Sequence, residues 1–513
     1  MEYIDFINNA RAEFALSMMA HHVWVPIYIG AVLVAAILET LYVRTGEIQY
    51  KSSAIFIGRM MLPTFLFIVL LGIATPPFSE DWAQWWRYVQ ILDPEDLTGR
   101  IPSTLIVVTI IAFIINQTCW DRIPPKAHLI SSWVLPIMPA LAESSAVAVN
   151  GWMQAPHATS VFDLDTFAYV RESMAAYFLQ PMTSIRFLHN FSATYLVGVG
   201  AILSLSCYFL LKNKHQFFTQ KAILISSIVG VVFTISVIAG GDAQGRAVHE
   251  TQPMKLASLE ALWETEATPH FVLFAIPDVE NMRNKYEIAI PHILGFMLSS
   301  SEEQPVKGIK QLLIENESRI RNGLVAYQAM NLFEQDRSNE QAKQTLLENH
   351  KDLGYAYLLH KYTDNILTAT DADIKNAAKD TMANITFLFF SFRIMVVAGF
   401  LLLIIFSYWA VRSYNNDLAS APGFIIKASI FTLPIALAAY LLGWALSEVG
   451  RQPWIIYEVL PTISGGGSYK NGESAGFSFN ELILTTIVIF TSLTALIVRQ
   501  VRKGPPHLEP RVD

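Results

Sequence analysis

The sequence predicts an all-α integral membrane protein of nine transmembrane helices, with a long outer (periplasmic) loop between the sixth and the seventh. Three observations predict it. The 513 residues are 53% hydrophobic and only 15% charged, with a mean hydropathy of +0.37. Apolar runs of about 20 residues recur along the chain, each long enough to cross a hydrocarbon core of about 30 Å. The Lys and Arg residues of the short connections fall on alternate loops, the bias that orients a multi-pass protein.

The runs lie at about 14–43, 54–76, 101–120, 127–150, 183–211, 217–240, 384–411, 423–448 and 477–501. The first is too long for a cleavable signal peptide and lacks a basic segment ahead of it, so it is expected to stay as a span. Arg44 and Lys51 follow span one, Arg122 and Lys126 span three, Lys212, Lys214 and Lys221 span five, and Arg412 and Lys427 span seven. Arg499, Arg502, Lys503 and Arg511 close the chain. All fall on one side, expected to be cytoplasmic, with the N-terminus outside and the C-terminus inside. The organisation expected is therefore spans one to six over 1–240, an extracytoplasmic loop over 241–383, and spans seven to nine over 384–513.

The 241–383 segment is polar, with helical periodicity from Ile309 to Leu332. A connection of that length among short ones is usually functional. Gly465 to Gly467, flanked by Ser464 and Ser468, read as a flexible turn in the last outer loop. There is no internal repeat to support a transporter of inverted repeats. The net charge of −7 is spread along the chain with no basic block, which excludes a nucleic-acid partner. The two cysteines, Cys119 and Cys207, make no zinc or disulfide pattern and read as small buried residues.

Within this apolar frame stand four side chains able to ligate haem iron: His21, His189, Met395 and Glu448. Spans one, five and seven enter from the outer side, which puts His21 roughly 10 Å deep, His189 about two turns in and Met395 about three. Span eight ends near Glu448 on that same side. A level set of this kind suggests a redox centre, because lipid does not tolerate scattered polar ligands. His with Met is an axial pair for a low-spin haem, and a singly ligated iron keeps a position open for oxygen. Taken singly, each has a plainer reading: a histidine hydrogen-bonded between helices, a packing methionine, a boundary carboxylate. His22 points about 100° from His21 and is not expected to be a second ligand.

Longer stretches narrow the choice. Gly443 to Trp454 (GWALSEVGRQPW), Asn150 to Gln154 (NGWMQ), Phe392 to Met395 (FRIM), Arg11 to Pro26 around His21, Lys255 to Glu260 (KLASLE) and Glu317 to Gly323 together resemble subunit I of cytochrome bd quinol oxidases. The resemblance runs nearly end to end. It implies that His189 and Met395 ligate a low-spin haem b. It implies that His21 and Glu448 each hold one of two high-spin haems, one b and the other d or a second b. Arg393 and Arg451 would compensate propionates or the charge of a reduced haem, and Trp444 would pack between haems or anchor at the lipid interface. Lys255 and Glu260 would bind quinol, the carboxylate accepting a proton as quinol is oxidised; without the resemblance both would be ordinary surface charges. Asp242, where span six is expected to end, is a weaker candidate for proton release.

The chain departs from that family in span three. Members carry two glutamates there, at positions that fall near Arg100 or Ile101 and near Val108 or Thr109, and Ile101 to Trp120 contains no carboxylate. Span four instead carries Glu143, an acid at a costly depth, which is expected to replace part of the lost proton route or else to be a protonated glutamate bonded between helices. The function expected is a quinol:oxygen oxidoreductase of a bacterial inner membrane. It would oxidise quinol outside and reduce O2 to water with cytoplasmic protons, electrogenic without pumping. The resemblance also implies a second subunit and often a small third one. The alternative is a divergent haem protein that oxidises quinol with altered or lost oxygen chemistry, serving electron transfer or redox sensing.

Overall fold

The computed structural model describes residues 2–78, 97–158, 160–171, 173, 178–298, 305–465 and 479–509. Among them, nine helical segments are long and apolar enough to cross a membrane. They begin with α1 (Glu2–Thr45), α2 (Ile48–Phe78), α3 (Leu97–Thr118) and α4 (Pro125–Gln154). A short hairpin of β1 (Ser160–Asp163) and β2 (Ala168–Arg171) leads to α5 (Pro181–Leu211) and α6 (Gln216–Thr251).

The centre of the bundle is the crossing of α1 on α5. Gly30 and Gly198 face each other there, and a Cβ on Gly30 would lie 2.7 Å from the Gly198 Cα. Only two glycines allow backbones to meet so closely, the small-residue packing that membrane helices use in place of a hydrophobic drive. Tyr28, Ile29, Val199, Ile202 and Leu203 pack around the crossing.

α6 outruns its expected end at 240 by three turns. At 1.5 Å per residue its 36 residues span about 54 Å, so its last turns stand clear of a bilayer core. Beyond it the 241–383 segment is folded: α7 (Pro253–Glu260), an antiparallel hairpin of β3 (Phe271–Asp278) and β4 (Arg283–Ile290), α8 (Ile293–Leu298), α9 (Ile309–Gln335), α10 (Glu340–Asn349), α11 (Leu353–Tyr357) and α12 (Asp371–Asp380). The periodic stretch from Ile309 becomes α9, the longest helix of this unit, which packs on α10, α11 and α12.

The chain returns through α13 (Ile385–Tyr414), whose N-cap Asn384 side chain accepts from the Phe387 N–H. Span eight is broken into α14 (Gly423–Ser429) and α15 (Thr432–Val449). Pro434 explains the break, since its ring cannot fit the carbonyl four residues back; the Leu433 N–H donates to Ser204 Oγ on α5 instead, at 2.9 Å. β5 (Trp454–Ile456) and β6 (Leu460–Pro461) follow, then α16 (Phe479–Lys503), the least enclosed span. The turn expected at Gly465 to Gly467 lies, beyond Gly465, outside the described residues.

The motif from Glu317 to Gly323 serves this architecture. Arg319 on α9 donates to Asp352 (2.7 Å) and with two nitrogens to Glu458, in the turn between β5 and β6. The folded insertion is thereby bound to the loop that follows Glu448.

Candidate haem and quinol site

α4, α5, α7 and α15 converge on a cluster of buried polar side chains. Glu448, at the end of α15, accepts from Asn150 Nδ2 of α4 at 2.9 Å and from Arg451. Arg186 of α5 donates to Asn150 Oδ1 and, at 2.9 Å, to Ser447 Oγ. Lys255 of α7 donates to Gln154 Oε1 and to the Ser447 carbonyl, both at 3.1 Å. Gln252 Nε2 donates to Gln154 Oε1 at 2.8 Å. Arg186, Arg451 and Lys255 are all buried, so three basic side chains surround one carboxylate. Burial, with Arg186 beside it, holds the Lys255 ammonium well below the ordinary lysine range, while Glu448 acts in the opposite sense.

The cluster is unsaturated. Nε and Nη1 of both Arg186 and Arg451 are buried with no hydrogen-bond partner among the described residues. Burying an unmet donor costs about 1–3 kcal/mol, more for a charged group. Glu448 keeps 39% of its side-chain surface open although Asn150 and Arg451 bracket it. Guanidinium N–H pairs beside an open carboxylate match carboxylates of a ligand together with a metal.

Three residues after Arg186, His189 is seated against α6. Its Nδ1 lies 2.9 Å from the Val237 carbonyl, an acceptor, so Nδ1 carries the proton and Nε2 keeps its lone pair for a metal. Gly240 and Gly241 form the seat, where a Cβ would meet the histidine at 3.3 and 3.4 Å. Met395 on α13 lies against Gly443 of α15, whose Cβ would come within 3.3 Å of the sulfur. His189 and Met395 are each only half-buried, so the thioether and the imidazole both have room for a partner. These features fit haem: a histidine fixed in the metal-binding tautomer, a thioether beside a glycine, and buried cations able to meet propionates.

His21 and His22 are both half-buried. The ring of His21 meets that of His22 at 6.2 Å. It is His22 that packs on Trp444, 4.5 Å between centroids, and lies 6.0 Å from Tyr440, while its Nδ1 bonds the Met18 carbonyl at 2.7 Å. Tyr440 leads on to Glu143. The carboxylate of Glu143 accepts from Asn190 (2.9 Å), Tyr440 (3.2 Å) and Thr194 (3.2 Å), joining α4, α5 and α15. Glu143 lies seven residues before Asn150 on α4, about 10 Å deeper than the Glu448 cluster.

Lys255 and Glu260 are not surface charges: both are buried. Nor do they meet. Lying five residues apart on α7, they point to different sides, Lys255 to the Arg186–Glu448 cluster and Glu260 to Arg393, whose Nη2 is 3.0 Å from Oε2. Burial raises the Glu260 carboxyl above its ordinary range, with Arg393 opposing. Arg393 differs from its expected duty toward propionates. Its donors go to the carbonyls of Val272 (2.7 Å) and Leu259 (2.8 Å) and to Glu260, and its guanidinium lies 3.4 Å over the Phe389 ring. It fastens the folded insertion to span seven. Asp242 is part of the prolonged α6, paired with Arg246 one turn on at 2.6 Å and 40% exposed. Sequence reading missed Arg186, although a guanidinium inside an apolar run is itself a signal of function.

The family model described as "Cytochrome bd terminal oxidase subunit I" matches residues 9–505. The chain is 29% identical to cytochrome bd-II ubiquinol oxidase subunit 1 of Escherichia coli (strain K12), over 98% of each chain. It is 24% identical to cytochrome bd ubiquinol oxidase subunit 1 of Bacillus subtilis (strain 168), over 97% of this chain and 94% of that one. Among solved structures, the bd oxidase from Geobacillus thermodenitrificans superposes with a TM-score of 0.74 at 20% identity, covering 98% of this chain and all of that one, which supports the fold.

Proposed function

We propose that this chain, which belongs to the cytochrome bd terminal oxidase subunit I family, is the catalytic subunit of a quinol:oxygen oxidoreductase that ends a respiratory chain. The observation that carries the proposal is the set of unmet N–H groups on buried Arg186 and Arg451 beside Glu448. His189 and Met395 would hold a low-spin haem b. His21 and Glu448 would hold the two high-spin haems, one b and one d or a second b. Bound there, the haems supply one-electron steps and an iron with a position open to O2.

The chain's own residues do the rest. Arg186 and Arg451 neutralise propionates and hold them in place. Glu260, raised by burial toward neutrality, takes a proton from quinol. Lys255 ties the quinol loop to the Glu448 cluster through Gln154 and Ser447. Trp444 meets the His22 ring edge-on. Glu143, held by three donors on two other spans, carries protons to the oxygen side. Asp242, exposed at the rim, passes quinol protons outward. With quinol protons released outside and protons for water drawn from the cytoplasm, turnover is electrogenic without pumping. A second subunit, and a small third one, complete the assembly in an inner membrane, with the N-terminus outside.

One observation favours a second reading, in which oxygen chemistry is altered or lost. The described part of α3 has no carboxylate, and Thr109, near one of the expected acid positions, is buried with its hydroxyl returned to the Leu105 carbonyl at 2.8 Å. A reduced-minus-oxidised optical spectrum of the purified complex, with quinol, O2 and carbon monoxide then added in turn, separates the two. Low-spin and high-spin bands, a carbon monoxide shift and quinol-driven O2 uptake support the oxidase. A low-spin band reduced by quinol with no O2 uptake supports the second reading, and absence of haem overturns both.

A further inference from the structure

At the opposite end of the bundle from Glu448, a second polar group is sealed among α1, α3 and α4. Glu39 and His128 are 1% and 2% exposed, and Oε1 of the carboxylate lies 2.7 Å from Nδ1 of the imidazole. Ser132 donates to the other oxygen. The Nε2 of His128 faces the Asn116 carbonyl at 3.2 Å. A carbonyl only accepts, so Nε2 keeps its proton, and the Glu39–His128 contact holds one further proton shared between oxygen and nitrogen. A titratable pair sealed between membrane spans is functional by default, and nothing in the haem or quinol chemistry above employs it.

Glu39 begins a stripe. Tyr28 is eleven residues before it and His21 seven before that, three turns and two turns of one helix, so the three share a face of α1. Glu39 and Tyr28 line the same narrow crevice, with Gly58, Asn116, Gln117 and Ser132, and little free space is left within it. Above it, Tyr28 Oη, Thr64 Oγ1 and Trp24 Nε1 are buried without a hydrogen-bond partner among the described residues. Thr64 adjoins Phe65, whose ring is 5.3 Å from that of Tyr28. Buried polar groups in native proteins are satisfied by protein or by ordered water, and here Tyr28 and Trp24 stand on α1 between Glu39 and His21, about 27 Å of helix, with Thr64 on the neighbouring α2.

We infer that the Glu39–His128 pair is a proton-loading station, feeding a file of waters past Tyr28, Thr64 and Trp24 to the oxygen site. It would do the work of the absent carboxylates of α3. The inference rests on the oxidase reading above. Each O2 takes four electrons from two quinols and four protons, giving two waters. Every proton leaving the pair toward O2 is replaced from the Lys- and Arg-rich face, so the pair returns to its starting state.

The test uses the purified holo-complex, with Glu39→Gln, which keeps the shape and removes the exchangeable proton, and Tyr28→Phe, which removes a hydroxyl that no group among the described residues engages. Anaerobic reduction of the low-spin haem by quinol reports on the oxidase reading and is expected to stay unchanged in both. Quinol-driven O2 uptake is expected to fall at least tenfold in Glu39→Gln and at least threefold in Tyr28→Phe. A reduced-minus-oxidised infrared difference spectrum should show a carbonyl band that shifts in D2O and is lost in Glu39→Gln. O2 uptake within twofold of the parent in Glu39→Gln, or an identical carbonyl band in parent and variant, overturns the inference. If Glu39→Gln does not assemble haem, Tyr28→Phe decides alone, and uptake within twofold of the parent overturns it. A parent complex reduced by quinol but inert to O2 refutes the oxidase reading instead, and this inference with it.

Discussion

Replacing Arg393 by Gln should move the pH dependence of quinol oxidation. Arg393 Nη2 and Glu260 Oε2 are 3.0 Å apart, with side chains 11% and 4% exposed. Two unit charges at that separation interact by about 5 kcal/mol at an effective dielectric of about 20. Relaxation and water admitted by the smaller side chain remove much of this, leaving a shift of about 1–2 pH units, or about 1.4–2.8 kcal/mol. The sign follows from the two influences on Glu260: burial raises its pKa and Arg393 opposes the rise. Without the guanidinium the carboxyl stays protonated to higher pH. The base is then lost over a wider acid range, and the acid limb of kcat/KM for quinol moves to higher pH by about 1–2 units. Stopped-flow reduction of the low-spin haem by quinol across a pH series measures the limb directly. Arg393→Lys keeps a cation and should shift it less, and Glu260→Gln should abolish it. An unmoved limb in Arg393→Gln, at intact haem content, would refute the assignment of Glu260 as the base.

The other expectations concern the haem pocket and its supports. Glu143→Gln should slow turnover at least fivefold, and turnover within twofold of the parent would remove Glu143 from the proton route. Gly443→Ala places a methyl within 3.3 Å of the Met395 sulfur, so the low-spin optical band should broaden or shift with little loss of total haem; an unchanged band would detach Met395 from that haem. Arg186→Met removes a cation with two unmet N–H groups and should weaken haem retention during detergent washing at least tenfold, as read by haem-to-protein ratio. Arg319→Met leaves Glu458 and Asp352 without their half-buried partner, a loss of about 1–3 kcal/mol, and limited proteolysis should then cut within 309–380 where the parent resists.

Much of the fold was legible because lipid imposes a strong pattern: the nine apolar runs became nine helical segments among the described residues. The misplaced end of span six has a physical reason. The apolar run ends at Gly240, yet Gly240 and Gly241 lie inside α6, where the lack of a side chain lets His189 sit against the backbone. The break in span eight was hidden for the opposite reason, since Pro434 lay inside an apolar run and only the contact of Leu433 with Ser204 shows where its turn is repaired. The β3–β4 hairpin left no mark, as its exposed strand β4 (RNKYEIAI) alternates too weakly. For the site, single residues were readable and their partnerships were not. The resemblance implied that Arg393 meets propionates or the charge of a reduced haem, but its donors turn to the loop. Glu39 and His128 sit in separate runs, and only the packing of α1 on α4 makes them a pair.

The cations around Glu448 also bear on biogenesis. Arg186 and Arg451 bury two guanidinium charges against one carboxylate, with the Lys255 amine beside them, and each uncompensated buried ion costs several kcal/mol. A newly made chain would hold that debt of electroneutrality until the propionates of its haems arrive. Cofactor insertion and the closing of α7 onto α15 would therefore be one cooperative event, with chain starved of haem left open at this seam and exposed to membrane proteases. Quality control of assembly would be written into the charge balance of the pocket itself.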